Sequence, residues 1–504
     1  MSGRLLLAHD LGTSGNKATL FDTEGNLLAS KTVPYKTFYS NITWAEQDPR
    51  AWWDAVCSST LAILENHHAA DIGVVAFSGQ MMGCLAVDAN GVPLKNHIIY
   101  SDQRAVEETQ ALVGRIDAKR VFGITGHRAS PSYAIEKLMW LRDNEPDVYA
   151  KTHKMLNAKD YINFKLTGRM VTEFNDASGT NALDLKRLKW SEEIIEAAQV
   201  SMSKFPDLIQ SIGIVGEVTG QAAQATGLKK GTLVVAGAGD GGCATVGIGS
   251  VRPGITYNYI GSSSWISTTS TGVLEDTEMK NFTWAHPVPG YMQPCGTMQT
   301  AGSSYAWLKE QLGQWEMEEA ARRKINPYQL LDEQVGQSPV GANGILFLPY
   351  LLGERSPRWN PDAKGAFIGL TLERTKADMF RAVLEGITMN LSFVLDVMRA
   401  QVPIQEMRVL GGGPKGKQWR QILADVYDLP IVVPNYLEEA TSMGAAVIGG
   451  VGAGLLDSFD RIESFIQFTD RVEPDRENVK RYQQIRPLFD EAYHALEPLF
   501  SKLQ

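Results

Sequence analysis

Residues 234–242 have the sequence Val-Val-Ala-Gly-Ala-Gly-Asp-Gly-Gly, an apolar run that ends in an aspartate surrounded by glycines. Residues 5–15, Leu-Leu-Leu-Ala-His-Asp-Leu-Gly-Thr-Ser-Gly, repeat this arrangement around Asp10. In both runs a predicted strand places a carboxylate at a glycine-rich turn whose backbone N–H groups can hold phosphate. One carboxylate suits a metal ion, and the other, Asp240, suits proton transfer. The pair therefore predicts phosphoryl-transfer chemistry.

The turns themselves supply the candidates for ligand binding. Asp10 can hold Mg²⁺ through water, because Mg²⁺ keeps much of its hydration shell. A tight hairpin is the alternative interpretation of the first turn, and a plain turn is the alternative around Asp240. The candidate phosphate ligands after Asp10 are Gly12, Thr13, Ser14 and Lys17.

A third glycine run, Gly411, Gly412 and Gly413, follows the predicted strand 407–410. Such a run lets the main chain pass close to a flat ligand such as an adenine ring, although it is also compatible with a simple helix entry. The chain contains no Gly-x-x-x-x-Gly-Lys-Ser/Thr sequence and no His-Arg-Asp plus Asp-Phe-Gly set. P-loop proteins and protein kinases are therefore excluded.

Composition narrows the class of protein further. The chain has 504 residues, 44% of them hydrophobic, and a formal net charge of −9 without a long basic run. This balance argues against a nucleic-acid surface, and no stretch approaches the ~18 apolar residues of a membrane span. The four cysteines form no Cys-x-x-Cys pair. We therefore expect reduced thiols in a cytoplasmic protein that binds neither nucleic acid nor membrane.

Strand meanders followed by helices occur twice along the chain, the second time after residue 230. Asp48 and Pro49 predict the start of a helix with buried residues that include Trp52 and Leu61. Thr375 predicts the capped start of a long helix. The duplicated pattern indicates an α/β protein with two related domains, a cleft between them and a join near residues 243–256.

Taken in order, these segments resemble the FGGY carbohydrate kinases of the actin-like ATPase superfamily. Residues 365–370, Gly-Ala-Phe-Ile-Gly-Leu, followed by 378–386, agree with the C-terminal signature of that family, and residues 137–144 nearly meet the N-terminal one. Residues 44–49, 79–81 and 347–357 are most similar to xylulose kinases within the family. The resemblance implies two ribonuclease-H-like domains, residues 1–248 for sugar and phosphate and residues 249–504 for nucleotide.

The resemblance also implies a role for each matching residue. Asp240 would be the general base, and Asp10 would handle Mg²⁺ and phosphate. ATP and Mg²⁺ would be the cofactors, a small sugar or polyol the substrate, and a homodimer the expected assembly. Gly261 and Ser262 would form a second phosphate loop, and Gly411, Gly412, Gly413 and Lys415 would line the adenosine site. The sugar-facing residues would be Gln80, Met81, Met82, Asp102 and Asp240.

Two positions depart from the xylulose-kinase pattern. Met82 stands where those kinases typically have histidine, and Gly241 stands where they typically have asparagine. Both replaced side chains would hydrogen-bond sugar hydroxyls, so their loss favours a substrate with fewer hydroxyls. The alternative is compensation by neighbours such as Ser78 or Ser101.

We predict phosphorylation of a ketose, with D-xylulose converted to D-xylulose 5-phosphate as the leading interpretation. Residues 251–254 and 439–444 also look like those of autoinducer-2 kinases, which keeps ribulose, a polyol, a deoxy-sugar or autoinducer-2 open as substrates. A sugar-binding regulatory protein with a vestigial nucleotide site is the alternative from another class.

Overall fold

A computed structural model describes residues 4–435 and 439–503. In the first half the strands are β1 (Leu5–Leu11), β2 (Gly15–Phe21), β3 (Leu27–Pro34), β4 (Thr37–Asn41), β5 (Trp44–Gln47), β6 (Ile72–Gly79), β7 (Leu85–Val87), β8 (His97–Ile98), β9 (Lys154–Leu156), β10 (Val171–Glu173), β11 (Leu183–Asp184), β12 (Lys189–Trp190), β13 (Asp207–Ile209), β14 (Ile214–Glu217) and β15 (Leu233–Gly239). The helices are α1 (Pro49–Leu64), α2 (Val106–Arg115), α3 (Ala118–Thr125), α4 (Ala134–Asn144), α5 (Pro146–Lys151), α6 (Ala158–Thr167), α7 (Phe174–Ser178), α8 (Glu192–Ala197), α9 (Gly220–Thr226) and α10 (Asp240–Gly247).

The second half begins after α10. Its strands are β16 (Thr256–Ile260), β17 (Ser264–Thr268), β18 (Phe282–Ala285), β19 (Met292–Met298), β20 (Leu346–Leu348), β21 (Ala366–Ile368), β22 (Met407–Gly411), β23 (Ile431–Pro434) and β24 (Phe468–Val472). Its helices are α11 (Gly302–Leu312), α12 (Gln314–Arg323), α13 (Pro327–Gln337), α14 (Lys376–Arg399), α15 (Lys417–Tyr427), α16 (Ala440–Gly452), α17 (Ile462–Phe465) and α18 (Arg476–Phe500).

Two sheets with related topology form the centre of the molecule. The first has the strand order β14-β15-β6-β1-β2-β3, and the second has the order β18-β19-β17-β16-β22-β23-β24. In the first, the pairs β1–β6 and β6–β15 are parallel, while β1–β2 and β2–β3 are antiparallel. In the second, β16–β22 and β22–β23 are parallel, and β16–β17 is antiparallel. This duplication confirms the predicted α/β fold of two ribonuclease-H-like, actin-like ATPase domains.

The helix starts predicted at Asp48 and Thr375 are confirmed. The Asp48 side chain accepts a hydrogen bond from an N–H in the first turn of α1, and Thr375 and Asp378 form a capping box at the start of α14. The prediction that Leu61 is buried was wrong, because its side chain is 48% exposed. Nine residues at 100° each place Leu61 on the opposite face of α1 from the buried Trp52, so the predicted inward position was wrong.

Helix α16 belongs to the second half of the chain but packs against the first sheet. Its residues Met443, Ala446 and Val447 share a buried cluster with Leu6 and Ala8 of β1. It also crosses α10 so closely that side chains have no room at the crossing. A β-carbon added to the glycine at position 444 would lie 1.8 Å from the carbonyl oxygen of residue 243. The two halves are thus held together by backbone contact.

Substitution of Gly444 by alanine is expected to lower stability by about 1–3 kcal/mol, the usual cost of overpacking a closely packed interior. The two helix backbones would have to separate, because the blocking atom is a main-chain oxygen. The matched control is Gly220→Ala in α9, where an added β-carbon meets nothing within 4 Å. Thermal unfolding of both variants measures the difference. Equal melting temperatures would contradict the close crossing.

The four cysteines, Cys57, Cys84, Cys243 and Cys295, are free thiols, as the sequence suggested. Within the described residues, no helix combines the length and apolar character that a membrane crossing requires.

Candidate active site

Three strand ends of the first sheet meet at one edge and carry the predicted polar residues. Gly79, at the end of β6, pairs with Gly239 of β15 on one side and with the last residue of β1 on the other. Asp10 is the second-last residue of β1. Gln80 directly follows β6, and Asp240 directly follows β15. Because the carboxyl ends of parallel strands share an edge, these three residues lie at the same edge of the sheet.

Asp240 is the first residue of α10 and is half-buried. One carboxylate oxygen, Oδ1, accepts a hydrogen bond of 2.7 Å from the N–H of Gly241. Burial raises the pKa of Asp240 to about 7, and the nearby charge of Asp10 contributes to the same rise. A carboxyl group with a pKa near the working pH is suited to accept a proton during catalysis.

Asp10 is held by hydroxyl groups from both halves of the chain. Ser78 of β6 donates to Oδ1 at 2.8 Å, and Thr441 of α16 donates to Oδ2 at 2.9 Å. Sequence reasoning missed Thr441, since it lies 431 residues away and no local pattern marks it. The two bonds fix the carboxylate and leave acceptor capacity on both oxygens.

The surroundings of Asp10 fit a magnesium ion that is bound mainly through water and substrate phosphates. A half-buried, oriented carboxylate offers the oxygen ligands that Mg²⁺ prefers. Among the described residues, no cluster of three or more histidine, cysteine or acidic side chains could hold a metal ion on its own. A cation here would also offset the repulsion between Asp10 and Asp240.

The rate of the chemical step is expected to depend on the ionisation of Asp240. Its pKa is raised to about 7, so below that pH the carboxyl group is protonated and could not act as the predicted base. We expect kcat/KM for the acceptor to rise with pH and to level off above about pH 7. A profile measured from pH 5.5 to 8.5 at saturating Mg·ATP tests this. Activity that is independent of pH across that range would contradict it.

The predicted first phosphate loop connects β1 to β2. Gly12 donates to the carbonyl oxygen of the glycine that begins β2, at 3.0 Å, and its own oxygen accepts from the Tyr35 hydroxyl at 2.5 Å. The Gln47 amide donates to the carbonyl oxygen of Thr13 at 2.7 Å. Ser14, at the exposed tip, leaves its side chain in solvent. The loop is thus fixed from behind, with its open side beside Asp10.

Lys17 lies opposite Asp10 in the β1–β2 pair. Its Nζ donates to Oε1 of Glu439, just before α16, at 3.0 Å. Lys17 therefore connects the first phosphate loop to the second half of the chain, and its predicted phosphate contact stays a prediction.

A cavity of about 1030 Å³ lies in the second half. That volume is sufficient for a nucleotide. The predicted residues Gly261, Ser262, Gly412, Gly413 and Lys415 line it, together with Tyr305, Trp307 and Tyr328. Sequence reasoning missed the three aromatic residues, because aromatic positions in helical sequence are more often core than ligand contacts.

Gly411 lies behind this cavity at the end of β22. Its φ of +92° belongs to the left-handed region, and a β-carbon there would approach the main-chain oxygen of Ile260 to 2.4 Å. Only glycine fits both demands. Gly411 therefore allows β22 to turn sharply beside β16, while Gly412 and Gly413 face the cavity.

The second predicted phosphate loop, Gly261 and Ser262, is attached to the start of α11. Gly302 donates to the oxygen of Gly261 at 2.9 Å, and Ser303 donates from its N–H to the oxygen of Ser262 at 3.0 Å. A helix N-terminus favours anions, so this attachment places the loop in a suitable field for phosphate.

Gln80, predicted to face the sugar, is buried and already hydrogen-bonded. Its Nε2 donates to Oε1 of Gln47 at 2.6 Å, and Trp52 donates to the same oxygen at 3.0 Å. The remaining Gln80 oxygen, Oε1, is buried without a hydrogen-bond partner. Its predicted contact with the sugar is not visible in this conformation and stays a prediction.

Asp102, predicted to face the sugar, is fully buried. Arg104 donates from Nε to Oδ1 at 2.9 Å and from Nη2 to Oδ2 at 2.8 Å, and Ala45 adds an N–H bond of 2.6 Å. A carboxylate held by a bidentate arginine has little capacity left for a sugar hydroxyl. Its predicted contact with the sugar stays a prediction.

Met81 and Met82 lie on the crevice side of the loop after β6. A β-carbon added at Gly239 would lie 2.4 Å from Sδ of Met81, whereas one added at Gly241 would come no nearer than 4.0 Å to any neighbour. Met82 has a φ of +64°, and the buried Nζ of Lys137 donates to its carbonyl oxygen at 2.9 Å. Close packing against Gly239 therefore fixes Met81, and the bond from Lys137 fixes the main chain of Met82. The space beside Gly241 is open.

The second sheet supplies the opposite wall of the crevice, which the sequence did not reveal. Gln293 of β19 donates to the carbonyl oxygen of Gly241 at 3.2 Å. In the antiparallel pairing of β19 with β18, Gln293 lies opposite Trp284. The ring of His127 lies against Trp284 with centroids 4.4 Å apart. Residues from both halves therefore enclose the space next to Asp240.

Paired carboxylates, two glycine loops and a nucleotide-sized cavity on an actin-like ATPase fold define a kinase that acts on small molecules. Residues 5–247 match the N-terminal domain of the FGGY family of carbohydrate kinases, and residues 259–453 match its C-terminal domain. The chain belongs to this family and is a carbohydrate kinase.

Individual relatives have different substrates in their names. The gluconokinase of Bacillus licheniformis is 30% identical over 504 residues, with 99% of this chain and 97% of that protein covered. The xylulose kinase of Lactococcus lactis subsp. lactis is 31% identical, with 97% and 96% covered. The structure of ligand-bound xylulose kinase from Lactobacillus acidophilus superposes with a TM-score of 0.91 at 26% identity, covering 99% of this chain and 100% of that one.

Proposed function

We propose that this protein transfers the γ-phosphoryl group of ATP to a terminal hydroxyl of a ketose, with D-xylulose to D-xylulose 5-phosphate as the first reaction to test. The observation that supports this most is the pair of carboxylates at the ends of β1 and β15, the two strands that flank β6, one with its pKa raised to about 7. The second half would hold ATP and the first half the acceptor. A cytoplasmic location and a homodimer stay predictions.

Asp240 accepts the proton of the acceptor hydroxyl as that oxygen attacks the γ-phosphorus. The bond between the γ-phosphorus and the β,γ-bridging oxygen breaks, and ADP leaves with the electron pair. Charge on the phosphates is met by the N–H groups of the Gly12 and Gly261 loops. Mg²⁺ beside Asp10, when bound, supplies further neutralisation of that charge.

The geometry also explains how water is kept from competing as acceptor. The crevice next to Asp240 is bounded by Met81 and Met82 on one side and by Trp284 on the other. Closure of the two domains over the acceptor would remove the remaining solvent and strengthen the electrostatic contacts within the site.

A coupled assay of ADP release in the presence of Mg·ATP tests the proposal. The acceptors are D-xylulose, D-ribulose, glycerol and gluconate, the last because gluconokinases are as similar to the chain as xylulose kinases are. We expect ADP release that depends on the acceptor and is strongest with a ketose. If gluconate is turned over fastest, the proposed substrate class changes from a ketose to an aldonate. Hydrolysis of ATP at the same rate with and without an acceptor would contradict the proposed transfer.

A further inference from the structure

The base Asp240 lies in a helical turn that is weak by itself. It is the first residue of α10, and the next two residues are Gly241 and Gly242. Glycine is one of the least favourable residues within a helix, because its backbone loses the most conformational freedom on folding. The residue before Asp240, Gly239, has no side chain that could cap this end of α10. The orientation of the Asp240 carboxylate therefore depends on contacts from outside this turn.

Such contacts meet at the carbonyl oxygen of Gly241. Gln293, from β19 of the second sheet, donates to this oxygen from Nε2 at 3.2 Å. The Thr245 hydroxyl, one turn farther along α10, donates to the same oxygen at 2.8 Å. A carbonyl oxygen has two lone pairs, and here each has a donor. The two bonds thus fix the main chain directly after Asp240.

Thr245 is itself held by a side chain of the second half. Its Oγ1 lies 2.8 Å from the hydroxyl oxygen of Tyr257 in β16. Because the Thr245 hydrogen is directed to Gly241, Tyr257 is the donor in this pair. Nε1 of Trp265 donates in turn to the Tyr257 hydroxyl at 3.4 Å. Three donors thus follow one another in the same direction, and hydrogen bonds arranged in this way strengthen each other.

The arrangement is buried. Tyr257 and Thr245 are 0% exposed, and Gln293 is 2% exposed. A buried hydroxyl or amide that loses its partner stays unsatisfied, so each of these bonds resists displacement. Asn175 closes the other side of the turn, since a β-carbon on Gly242 would lie 2.4 Å from its Oδ1. Side chains from both halves of the chain therefore enclose the first turn of α10.

We propose that Tyr257 and Gln293 are positioning residues for the base Asp240. Gln293 acts directly on the carbonyl of Gly241, and Tyr257 acts on the same carbonyl through its hydroxyl partner in α10. Together they orient the carboxylate toward the acceptor hydroxyl. The inference rests on the proposed function, because it concerns the general base of that reaction. Both residues belong to the second half, so the relative placement of the two halves is transmitted to the base.

The test removes the two donors with little change in shape, by Tyr257→Phe and Gln293→Met. We expect each substitution to lower kcat about fivefold, the usual effect of one neutral hydrogen bond, and to leave KM for ATP unchanged. Either donor can hold the carbonyl when the other is absent. We therefore expect the double variant to lose at least about 50-fold in kcat, more than the product of the single losses.

The pH profile distinguishes a positioning role from a purely structural one. Burial raises the pKa of Asp240 to about 7, and the bond that its carboxylate accepts from the N–H of Gly241 lowers this pKa in part. A loosened turn weakens that bond, so we expect the acid limb of kcat/KM to move to higher pH in both variants. A role confined to stability would leave the limb in place.

Tyr427→Phe is the matched control. The Tyr427 hydroxyl donates at 3.0 Å to Asn258, the residue of β16 that follows Tyr257. Successive side chains of a strand point to opposite faces, so this bond lies on the side of β16 away from α10. The control loses a buried tyrosine hydroxyl, as Tyr257→Phe does. We expect a similar fall in melting temperature, with kcat and the pH profile unchanged.

The Asp240→Asn background separates this inference from the proposed function. If Tyr257 and Gln293 act through the base, their loss changes the residual rate of Asp240→Asn by less than about twofold. An equal loss in both backgrounds, an unmoved acid limb or full activity of the variants would overturn the positioning role and leave the kinase function intact. Near-normal turnover by Asp240→Asn alone would instead remove the proposed base. The single variants decide this comparison if the double variant does not fold.

Discussion

Substitution of Asp240 by asparagine is expected to lower kcat by about 10³-fold while leaving the affinity for ATP within a few-fold of the wild type. A positioned general base typically contributes 10²–10⁴-fold, and asparagine keeps the size of the side chain but cannot take the proton. ATP binding should persist, because the nucleotide-sized cavity is lined by residues of the second half only. Steady-state kinetics and calorimetric titration with ATP measure the two quantities.

Asp240→Asn is also expected to be more stable than the wild type near neutral pH. Burial and the charge of Asp10 raise the folded-state pKa of Asp240 to about 7, above its ordinary 3.8, so the ionised carboxylate destabilises the folded protein. The advantage of Asp240→Asn should grow as pH rises from about 4 to 7 and then stay constant. Asp54→Asn, at an exposed position of α1, is the control for loss of a carboxylate.

Two results would oppose this account of Asp240. Near-normal turnover by Asp240→Asn would remove it from the role of base. A fall in melting temperature at pH 8 relative to the wild type would show that its carboxylate is a stabilising partner instead.

Substitution of Asp10 by asparagine is expected to have the second largest effect, a loss of about 10²–10³-fold in kcat together with a higher Mg²⁺ concentration for half-maximal rate. Losing an electrostatic contact to the transferring group usually has an effect of this order. It should also shift the acid limb of the pH profile to lower pH, because the charge of Asp10 helps raise the pKa of Asp240. Kinetics across Mg²⁺ concentration and pH measure both.

Thr441→Val is the matched control for Asp10. It removes only the hydroxyl that donates to Oδ2 of Asp10 and keeps the shape of the side chain. A loss of a few-fold is expected, since the carboxylate itself remains. An unchanged Mg²⁺ requirement in Asp10→Asn would contradict a role for this residue near the cation.

Local signals predicted much of the fold. Apolar runs before glycine-rich turns predicted β1, β15 and β22, and the caps at Asp48 and Thr375 predicted the starts of α1 and α14. These features depend on residues a few positions apart, and short-range periodicity and hydrogen bonding are what a sequence displays directly.

The contacts that build the site were beyond such reasoning. Thr441 reaches Asp10 only because α16 returns to the first sheet, and Trp284 enters the crevice through the pairing of β18 with β19. At Asp102 the sequence displays a carboxylate but not the paired hydrogen bonds with Arg104 that hold it. Register and side-chain pairing across long separations carry this information, and a single sequence does not display them.

We propose that the protein transfers a phosphoryl group from ATP to a carbohydrate hydroxyl with Asp240 as the base. ATP labelled in its γ-phosphate tests it most directly, with the label followed into the acceptor, water and protein. We expect the wild type to form one labelled phosphate ester of the acceptor for each ADP, and Asp240→Asn to form almost none. Label released as inorganic phosphate at the same rate with or without an acceptor would contradict it.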